Sequence, residues 1–118
     1  MFEISVEGHF DAAHALRGYG GKCEALHGHR FKVVLGVRGE KLNNIGILYD
    51  FVELRLKLNQ VLSRYDHTNL NDLSQFQEEN PSSENLARAI HGEMKGLPGL
   101  AYVEVWESPE SRVRFTPG

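Results

Sequence analysis

Apolar and polar residues alternate in two separate stretches of the chain. The first stretch, residues 2–14, places these residues on one parity: Phe2, Ile4, Val6, Phe10, Ala12 and His14. The second begins after a glycine-rich segment, residues 17–26, and places these on one parity: His27, His29, Phe31, Val33, Leu35 and Val37. A period of two residues is typical of a strand with one buried face. We therefore expect two strands joined by a loop and paired antiparallel.

Two helices are predicted in the middle of the chain. Asp50 with Glu53 three residues later is the pattern of a capping box. Apolar residues then recur at helical spacing: Phe51, Leu54, Leu58, Val61, Leu62 and Tyr65. Ser82 or Ser83 can cap a second helix, which we expect to end by residues 96–98, where glycine and proline stop helices.

The end of the chain returns to strands, over residues 102–107 and 112–116, with a turn between them. The predicted order is β-β-α-α-β-β over residues 1–118. This order favours a single α+β domain, in which a four-stranded antiparallel sheet carries both helices on one face.

Composition narrows the class of protein. The chain of 118 residues has 41% hydrophobic residues, 25% charged residues and a formal net charge of −3. The chain therefore lacks the excess of basic residues expected of a protein that binds nucleic acid or an anionic membrane. No stretch of the sequence is both apolar enough and long enough to span a bilayer. Glu3 and Glu7 stand where a secretory signal would be basic and then apolar, so we expect a cytoplasmic protein. The single cysteine, Cys23, excludes an internal disulfide.

Three histidines are candidate metal ligands. His27 and His29 are two residues apart on a predicted strand, so their side chains lie about 7 Å apart on one face. His14 ends the neighbouring strand on the same parity. Three imidazoles with an open fourth position describe a catalytic zinc site. The alternative is a surface turn at His27 and His29 with a core histidine at His14; His9 and His91 lack partners and are interpreted as structural or solvated.

Further groups could take part in chemistry beside this site. Cys23 lies four residues before His27, and a metal ion or imidazolium nearby would favour its thiolate form. The thiolate could serve as general base, nucleophile or fourth metal ligand. The alternative is that Cys23 is an inert, small hydrophobic side chain. Asp66 next to His67 can orient an imidazole for proton transfer, or can simply end a helix. Glu107 lies on the apolar parity of its strand, where a carboxylate needs a cation or several donors, unless the strand has already ended in water.

Several motifs in this order resemble those of the 6-pyruvoyltetrahydropterin synthase family. They are FDAAH (10–14), KCEALHGH (22–29), DF (50–51), DHTNLND (66–72), ENPSSENLA (79–87) and VEVWES (103–108). The resemblance covers nearly the whole chain. Within the family, the spacing Cys-x-x-x-His-Gly-His resembles the bacterial 6-carboxytetrahydropterin synthases of queuosine biosynthesis.

The resemblance implies a Zn²⁺ cofactor on His14, His27 and His29, with Cys23 as the catalytic base. It also implies the tunnelling fold, in which subunit sheets join edge to edge into barrels that stack as homohexamers with active sites between subunits.

The resemblance assigns roles to five further residues. Asp66 and His67 would form the second acid–base group, and Glu107 would anchor the guanidine edge of the pterin. Ser82 and Ser83 replace a Thr-Ser pair of relatives and would contact the pterin.

The implied activity is that of a carbon–carbon lyase on 7,8-dihydroneopterin triphosphate, which releases acetaldehyde and triphosphate and leaves 6-carboxy-5,6,7,8-tetrahydropterin. The alternatives are triphosphate elimination to the pyruvoyl product, and a non-catalytic domain with a structural Cys-His₃ zinc site.

Overall fold

The computed structural model describes residues 1–118, apart from the side chain of Cys23. The strands are β1 (Phe2–His14), β2 (His27–Gly39), β3 (Thr68–Asn69), β4 (Leu100–Ser108) and β5 (Ser111–Phe115), and the helices are α1 (Phe51–Leu62) and α2 (Ser83–Glu93). Short 3-10 turns occur at Lys22–Glu24, Leu70–Asp72 and Ser74–Phe76. Within the described residues, the strands form one sheet in the order β3-β1-β2-β4-β5. The predicted α+β class and the order of the main elements are confirmed.

The expected four-stranded antiparallel sheet is wrong in one respect. After α1 the chain returns along the outer edge of β1, where β3 pairs parallel with Ala12 and Ala13 and adds a fifth strand to the described sheet. β3 has only two residues, both half-buried. A segment this short has no alternation to detect, so the hydrophobic pattern could not reveal it. The pairings among β1, β2, β4 and β5 are antiparallel as predicted.

The long pairing of β1 with β2 determines where the candidate ligands meet. It runs without a shift from Phe2 opposite Gly39 to His14 opposite His27. Gly8 lets α1 approach the middle of β1, since a Cβ at this position would lie 2.8 Å from a methyl carbon of Leu62. The uninterrupted register brings the last residue of β1 next to the first residue of β2.

Both helices begin at side-chain caps. Asp50 Oδ1 accepts the N–H of Val52 at 2.8 Å at the start of α1, and Ser82 Oγ accepts the N–H of Asn85 at 3.2 Å at the start of α2. Of the two serines considered from the sequence, Ser82 is therefore the cap. Such a cap satisfies a helix N–H that has no partner within the helix.

The core lies between the helices and one face of the sheet. α1 packs on β1, and α2 packs on β4 and β5. The strands contribute these buried residues: Val6, Phe10, Phe31, Val33, Leu35, Val37, Val103 and Val105. Both helices thus lie on one face, as predicted. Among the described residues, no helix combines the length and apolarity needed to cross a membrane.

Candidate metal centre

Three histidines meet at one end of the core face. His14 is 1% exposed, and its ring centroid lies 4.6 Å from that of His27 and 5.4 Å from that of His29. The rings of His27 and His29 are 4.9 Å apart. Glu107, near the end of β4, completes the group: one possible ligand atom from each of the four residues lies within 4.8 Å of the others. We call these four residues the histidine cluster.

Backbone carbonyls orient two of the rings. His14 Nδ1 lies 2.7 Å from the carbonyl oxygen of Pro81, and His27 Nδ1 lies 2.7 Å from that of Ala25. A carbonyl only accepts hydrogen bonds, so each Nδ1 carries the proton and donates it. In the neutral ring, Nε2 then keeps its lone pair. Histidines that bind metals commonly have this arrangement, because the second hydrogen bond sets the tautomer and the direction of the ring.

The atoms that face the middle of the cluster lack a conventional set of partners. Nε2 of His27 and Nε2 of His29 are buried and have no hydrogen-bond partner among the described atoms. Glu107 Oε1 lies 3.1 Å from Nε2 of both His14 and His29, but the contact with His29 lacks the alignment of a hydrogen bond. A cation between the Glu107 carboxylate and the Nε2 lone pairs would satisfy both at once. The group therefore fits a bound cation.

Electrostatics favour neutral imidazole at this position. Burial lowers the pKa of His29. The negative charge of Glu107 acts in the opposite direction and raises this pKa, whereas positive charge on His14 or His27 lowers it further. Three imidazole nitrogens beside one carboxylate oxygen form a donor set that zinc accepts.

Three cavities adjoin the cluster, and the largest, about 450 Å³, is lined by Glu107 together with Lys32 and Trp106. The two smaller cavities are lined by histidines of the cluster. The larger of these two, about 310 Å³, is lined by Lys22, His27, His29, Glu107, Ser108 and Ser111. The smaller, about 180 Å³, lies between the start of α2 and the β4–β5 hairpin, where Ser82 and Ser83 face His14 and Glu107. The Ser83 hydroxyl is buried without a partner among the described atoms. Ser82 accepts the cap hydrogen bond and keeps its O–H as a donor, so both serines have a hydroxyl for a ligand.

The Asp66–His67 pair lies elsewhere, on the outer edge of β1. It follows the fully buried Tyr65, whose hydroxyl donates to Glu93 of α2 at 2.8 Å. The backbone of Asp11 binds the pair: its N–H donates to Asp66 Oδ1 at 2.9 Å, and its carbonyl accepts the His67 N–H at 2.6 Å. This fixed edge therefore determines where the pair sits.

The two side chains of the pair face each other, although adjacent residues rarely do. His67 Nδ1 lies 2.9 Å from Asp66 Oδ2, and His67 has a positive φ of 58°, a conformation that costs energy outside glycine. The hydrogen bond from the Asp11 N–H, followed by that from His67, lowers the pKa of Asp66. The carboxylate therefore stays ionised and orients a largely exposed imidazole.

The structure brings only some of the predicted site residues together. His14, His27, His29 and Glu107 form one group, and Asp66 and His67 form a separate group with Asp11. The predicted base Cys23 lies in the turn Lys22–Glu24, and its side chain lies outside the described residues. Within one chain, the acid–base pair is therefore not part of the histidine cluster.

Sequence reasoning missed the groups that orient the ligands. The carbonyls of Pro81 and Ala25 carry no side-chain pattern that could reveal them. Asn71 and Asn80, which bind the backbone just after His14, stand in polar segments where asparagine is common.

The fold and the cluster define a class: an α+β domain with three histidines and a carboxylate, a candidate cation site, at one end of its sheet. A sequence profile described as 6-pyruvoyl tetrahydropterin synthase matches residues 3–117, and the chain belongs to that family. This membership confirms the resemblance identified from the motifs, and the chain is an enzyme of the lyase type.

Individual relatives agree with this assignment. The chain is 36% identical to a 6-carboxy-5,6,7,8-tetrahydropterin synthase of Synechocystis sp., over 98% of this chain and 93% of that protein. It is 37% identical to a dihydroneopterin monophosphate aldolase of Pyrococcus furiosus, over 90% of each chain. The structure of 6-pyruvoyl tetrahydropterin synthase of Caenorhabditis elegans superimposes with a TM-score of 0.89 at 26% identity, over 99% of this chain and 96% of that one.

Proposed function

We propose that this protein is a zinc-dependent 6-carboxy-5,6,7,8-tetrahydropterin synthase of queuosine biosynthesis, acting in the cytoplasm. In the proposed reaction, 7,8-dihydroneopterin triphosphate and one water give 6-carboxy-5,6,7,8-tetrahydropterin, acetaldehyde and triphosphate. The observation that carries the proposal is the histidine cluster beside the two cavities that its histidines line, in a chain with a full-length relative of that name.

The metal site would consist of His14, His27 and His29, with Nε2 as the ligand atom of each ring. The two unpartnered Nε2 atoms and the two carbonyl-bound Nδ1 atoms support this assignment. Zinc would supply a Lewis acid that polarises the side-chain oxygens of the substrate and acidifies a neighbouring C–H bond.

Glu107 would bind the guanidine edge of the pterin. Its carboxylate is about one-third exposed and lines both of the cavities shared with the histidines, so a ring held there would lie directly beside the histidines. Two parallel N–H donors match the two oxygens of a carboxylate, as they do in an arginine pair. Ser83 would offer its buried hydroxyl to the same ring, and Ser82, which accepts the cap hydrogen bond, would still have its O–H to donate.

Two groups of the chain would move protons. Cys23, four residues before His27, would act as thiolate and remove the proton from the activated side-chain carbon. His67, oriented by the ionised Asp66, would transfer a proton at a side-chain hydroxyl.

A homohexamer would explain why these groups lie apart in one chain. The edge of β1 before Asp11 and the outer edge of β5 have no neighbouring strand within the described sheet, and joining edges between copies would satisfy their backbone groups. Asp66 and His67 stand on the β1 edge, where a neighbouring copy would meet them. Light scattering should find a hexamer, or at least a trimer; a monomer at micromolar concentration would contradict this assembly.

Three other activities must be distinguished from the proposed one. The pyruvoyl reaction eliminates triphosphate without breaking a carbon–carbon bond. An aldolase acting on dihydroneopterin monophosphate, as the name of the Pyrococcus relative describes, would release a two-carbon aldehyde that still carries phosphate. A structural Cys-His₃ zinc site would support no turnover.

Product analysis separates these outcomes. Purified protein with 7,8-dihydroneopterin triphosphate should yield acetaldehyde and carboxytetrahydropterin in equal amounts. Pyruvoyltetrahydropterin without acetaldehyde would establish the elimination reaction. Turnover of the monophosphate alone, with a phosphorylated aldehyde, would establish the aldolase.

A further inference from the structure

Two asparagine side chains continue the outer edge of β1 after the strand ends. In an extended chain, alternate residues direct their N–H and C=O groups to the same edge. On this edge of β1 the residues are Asp11 and Ala13; Ala15 follows at the same spacing, and Arg17 after it begins a turn. The Asp66–His67 pair binds Asp11, and β3 pairs with the chain at Ala13. β1 itself ends at His14, so Ala15 and Arg17 have no strand beside them.

The carboxamides of Asn71 and Asn80 take the place of that strand. Asn71 Oδ1 accepts the Ala15 N–H at 2.8 Å, and Asn71 Nδ2 donates to the Ala15 carbonyl at 3.0 Å. Asn80 does the same to Arg17, with Oδ1 and Nδ2 each at 2.9 Å from their backbone partners. A carboxamide has both a donor and an acceptor, so one side chain satisfies both backbone groups of one residue.

Both asparagines connect this extended edge to parts of the candidate site. Asn71 lies just after the segment that carries the Asp66–His67 pair and β3. Asn80 directly precedes Pro81, whose carbonyl accepts the Nδ1–H of His14. The Asn80 carbonyl in turn accepts from Asn85 of α2 at 2.8 Å, which fixes Asn80 to the helix. The backbone on both sides of the His14–Pro81 hydrogen bond is thereby held.

We propose that Asn71 and Asn80 are positioning residues for the metal ligand His14. They bind the backbone of Ala15 and Arg17, just after His14. This keeps the Nδ1–H of His14 on the Pro81 carbonyl and directs the Nε2 of His14 into the histidine cluster. The proposal rests on the metal site of the proposed function. It goes beyond that function because it assigns the orientation of a ligand to two side chains that touch neither metal nor substrate.

The first test is zinc affinity, measured by competition with a chromophoric chelator. Asn71→Ala and Asn80→Ala should each raise the zinc dissociation constant about tenfold, the lower range for groups that support a ligand. The matched control is Asn43→Ala. Asn43 Oδ1 accepts the N–H groups of Ile45 and Ile47 in the loop before α1, far along the chain from the cluster. An equal loss of affinity in the control, or none in the two variants, would overturn the proposal.

The second test uses metal-free protein and therefore does not depend on the reaction. The ¹⁵N chemical shifts of the His14 ring should show the Nδ1–H tautomer in the wild type and a mixture of tautomers in the two variants. Unchanged shifts would overturn the positioning role even if the proposed activity is correct, whereas the wrong product with changed shifts would overturn only the activity.

Should the alanine variants fail to fold, Asn71→Asp and Asn80→Asp keep the size and the acceptor but lose the donor. We expect an intermediate loss of affinity in them, and wild-type affinity would contradict the proposal.

Discussion

The histidine cluster and the Asp66–His67 pair use the same strand in different ways. The cluster forms where β1 meets β2, with His14 almost completely buried and two rings fixed by backbone carbonyls. The pair forms on the other edge of β1, where His67 is exposed, Asp66 is half-buried and both are bound by the backbone of Asp11. Hydrogen bonds to backbone groups orient both sites; burial adds to them at His14, and a positive-φ backbone adds to them at the more exposed His67.

This contrast matches the two roles that the proposed function assigns to these groups. A metal ligand must present its lone pair in a fixed direction away from water, and burial supplies that condition. A proton-transfer group must reach a substrate and exchange protons with water, and the open edge supplies that condition. The positive φ of His67 is a local cost at the pair, of the kind found at functional positions.

The largest expected effect is the loss of the metal from the cluster. His27→Ala should reduce the zinc content from about one per chain to a small fraction, because a catalytic site has only three protein ligands to lose. Metal analysis of purified protein checks this. The control is His9→Ala, which removes an exposed histidine outside the cluster and should leave zinc unchanged. Full zinc occupancy in His27→Ala would show that the cluster is not the metal site.

The next largest effect distinguishes a catalytic site from a structural one. Cys23→Ala should keep its zinc and its melting temperature but lose activity by about 10²- to 10⁴-fold, the usual contribution of a positioned proton-transfer group. Metal analysis, thermal unfolding and product formation measure the three properties.

A closed Cys-His₃ site would behave differently, because structural zinc contributes directly to folding. A Cys23→Ala protein that is metal-free and unfolded would favour the non-catalytic reading.

The contrast also explains what the sequence could predict. The alternation of β1 and β2 places His14, His27 and His29 on one face before any coordinates are known, since a period of two residues determines the face. The position of Glu107 on the apolar parity of β4 follows in the same way. Because the strands are long and regular, the sequence was enough to predict that these four side chains share one face of the sheet.

The outer edge of β1 could not be predicted by this reasoning. β3 is too short to show a pattern, and the contacts of Asp66 and Asn71 are made to backbone atoms, whose identity does not depend on residue type. The adjacency of Asp66 and His67 in the sequence predicted that one orients the other, and the family resemblance implied an acid–base role, but neither indicated their attachment to Asp11. Hydrophobic periodicity reports burial, so it cannot detect structure that is held by hydrogen bonds at an exposed edge.

A smaller effect decides the role of Glu107 within the cluster. If Glu107 binds the pterin, Glu107→Gln should keep its zinc and weaken pterin binding about 10- to 100-fold, because hydrogen bonds to a charged group contribute about 1.5–3 kcal/mol. Fluorescence titration with a pterin and metal analysis give the two quantities. Glu110→Gln, in the exposed β4–β5 turn, is the control. Loss of zinc from Glu107→Gln would instead make Glu107 a metal ligand.

The smallest expected effect concerns the Asp66–His67 pair and depends on pH. The Asp11 N–H and His67 lower the pKa of Asp66, so the ionised carboxylate stabilises the folded state above the pKa of the unfolded chain, about 3.9, and this stabilisation is lost as the pH falls through the folded pKa. Asp66→Asn keeps an acceptor for the Asp11 N–H but removes the charge. Its melting temperature should therefore lie slightly below that of the wild type at neutral pH and approach it as the solution becomes acidic. Thermal unfolding by circular dichroism across that range measures the difference, with Asp72→Asn in the neighbouring turn as control. A difference that stays constant with pH would mean that the Asp66 charge does not hold the pair, and that the Asp11 backbone alone fixes its position.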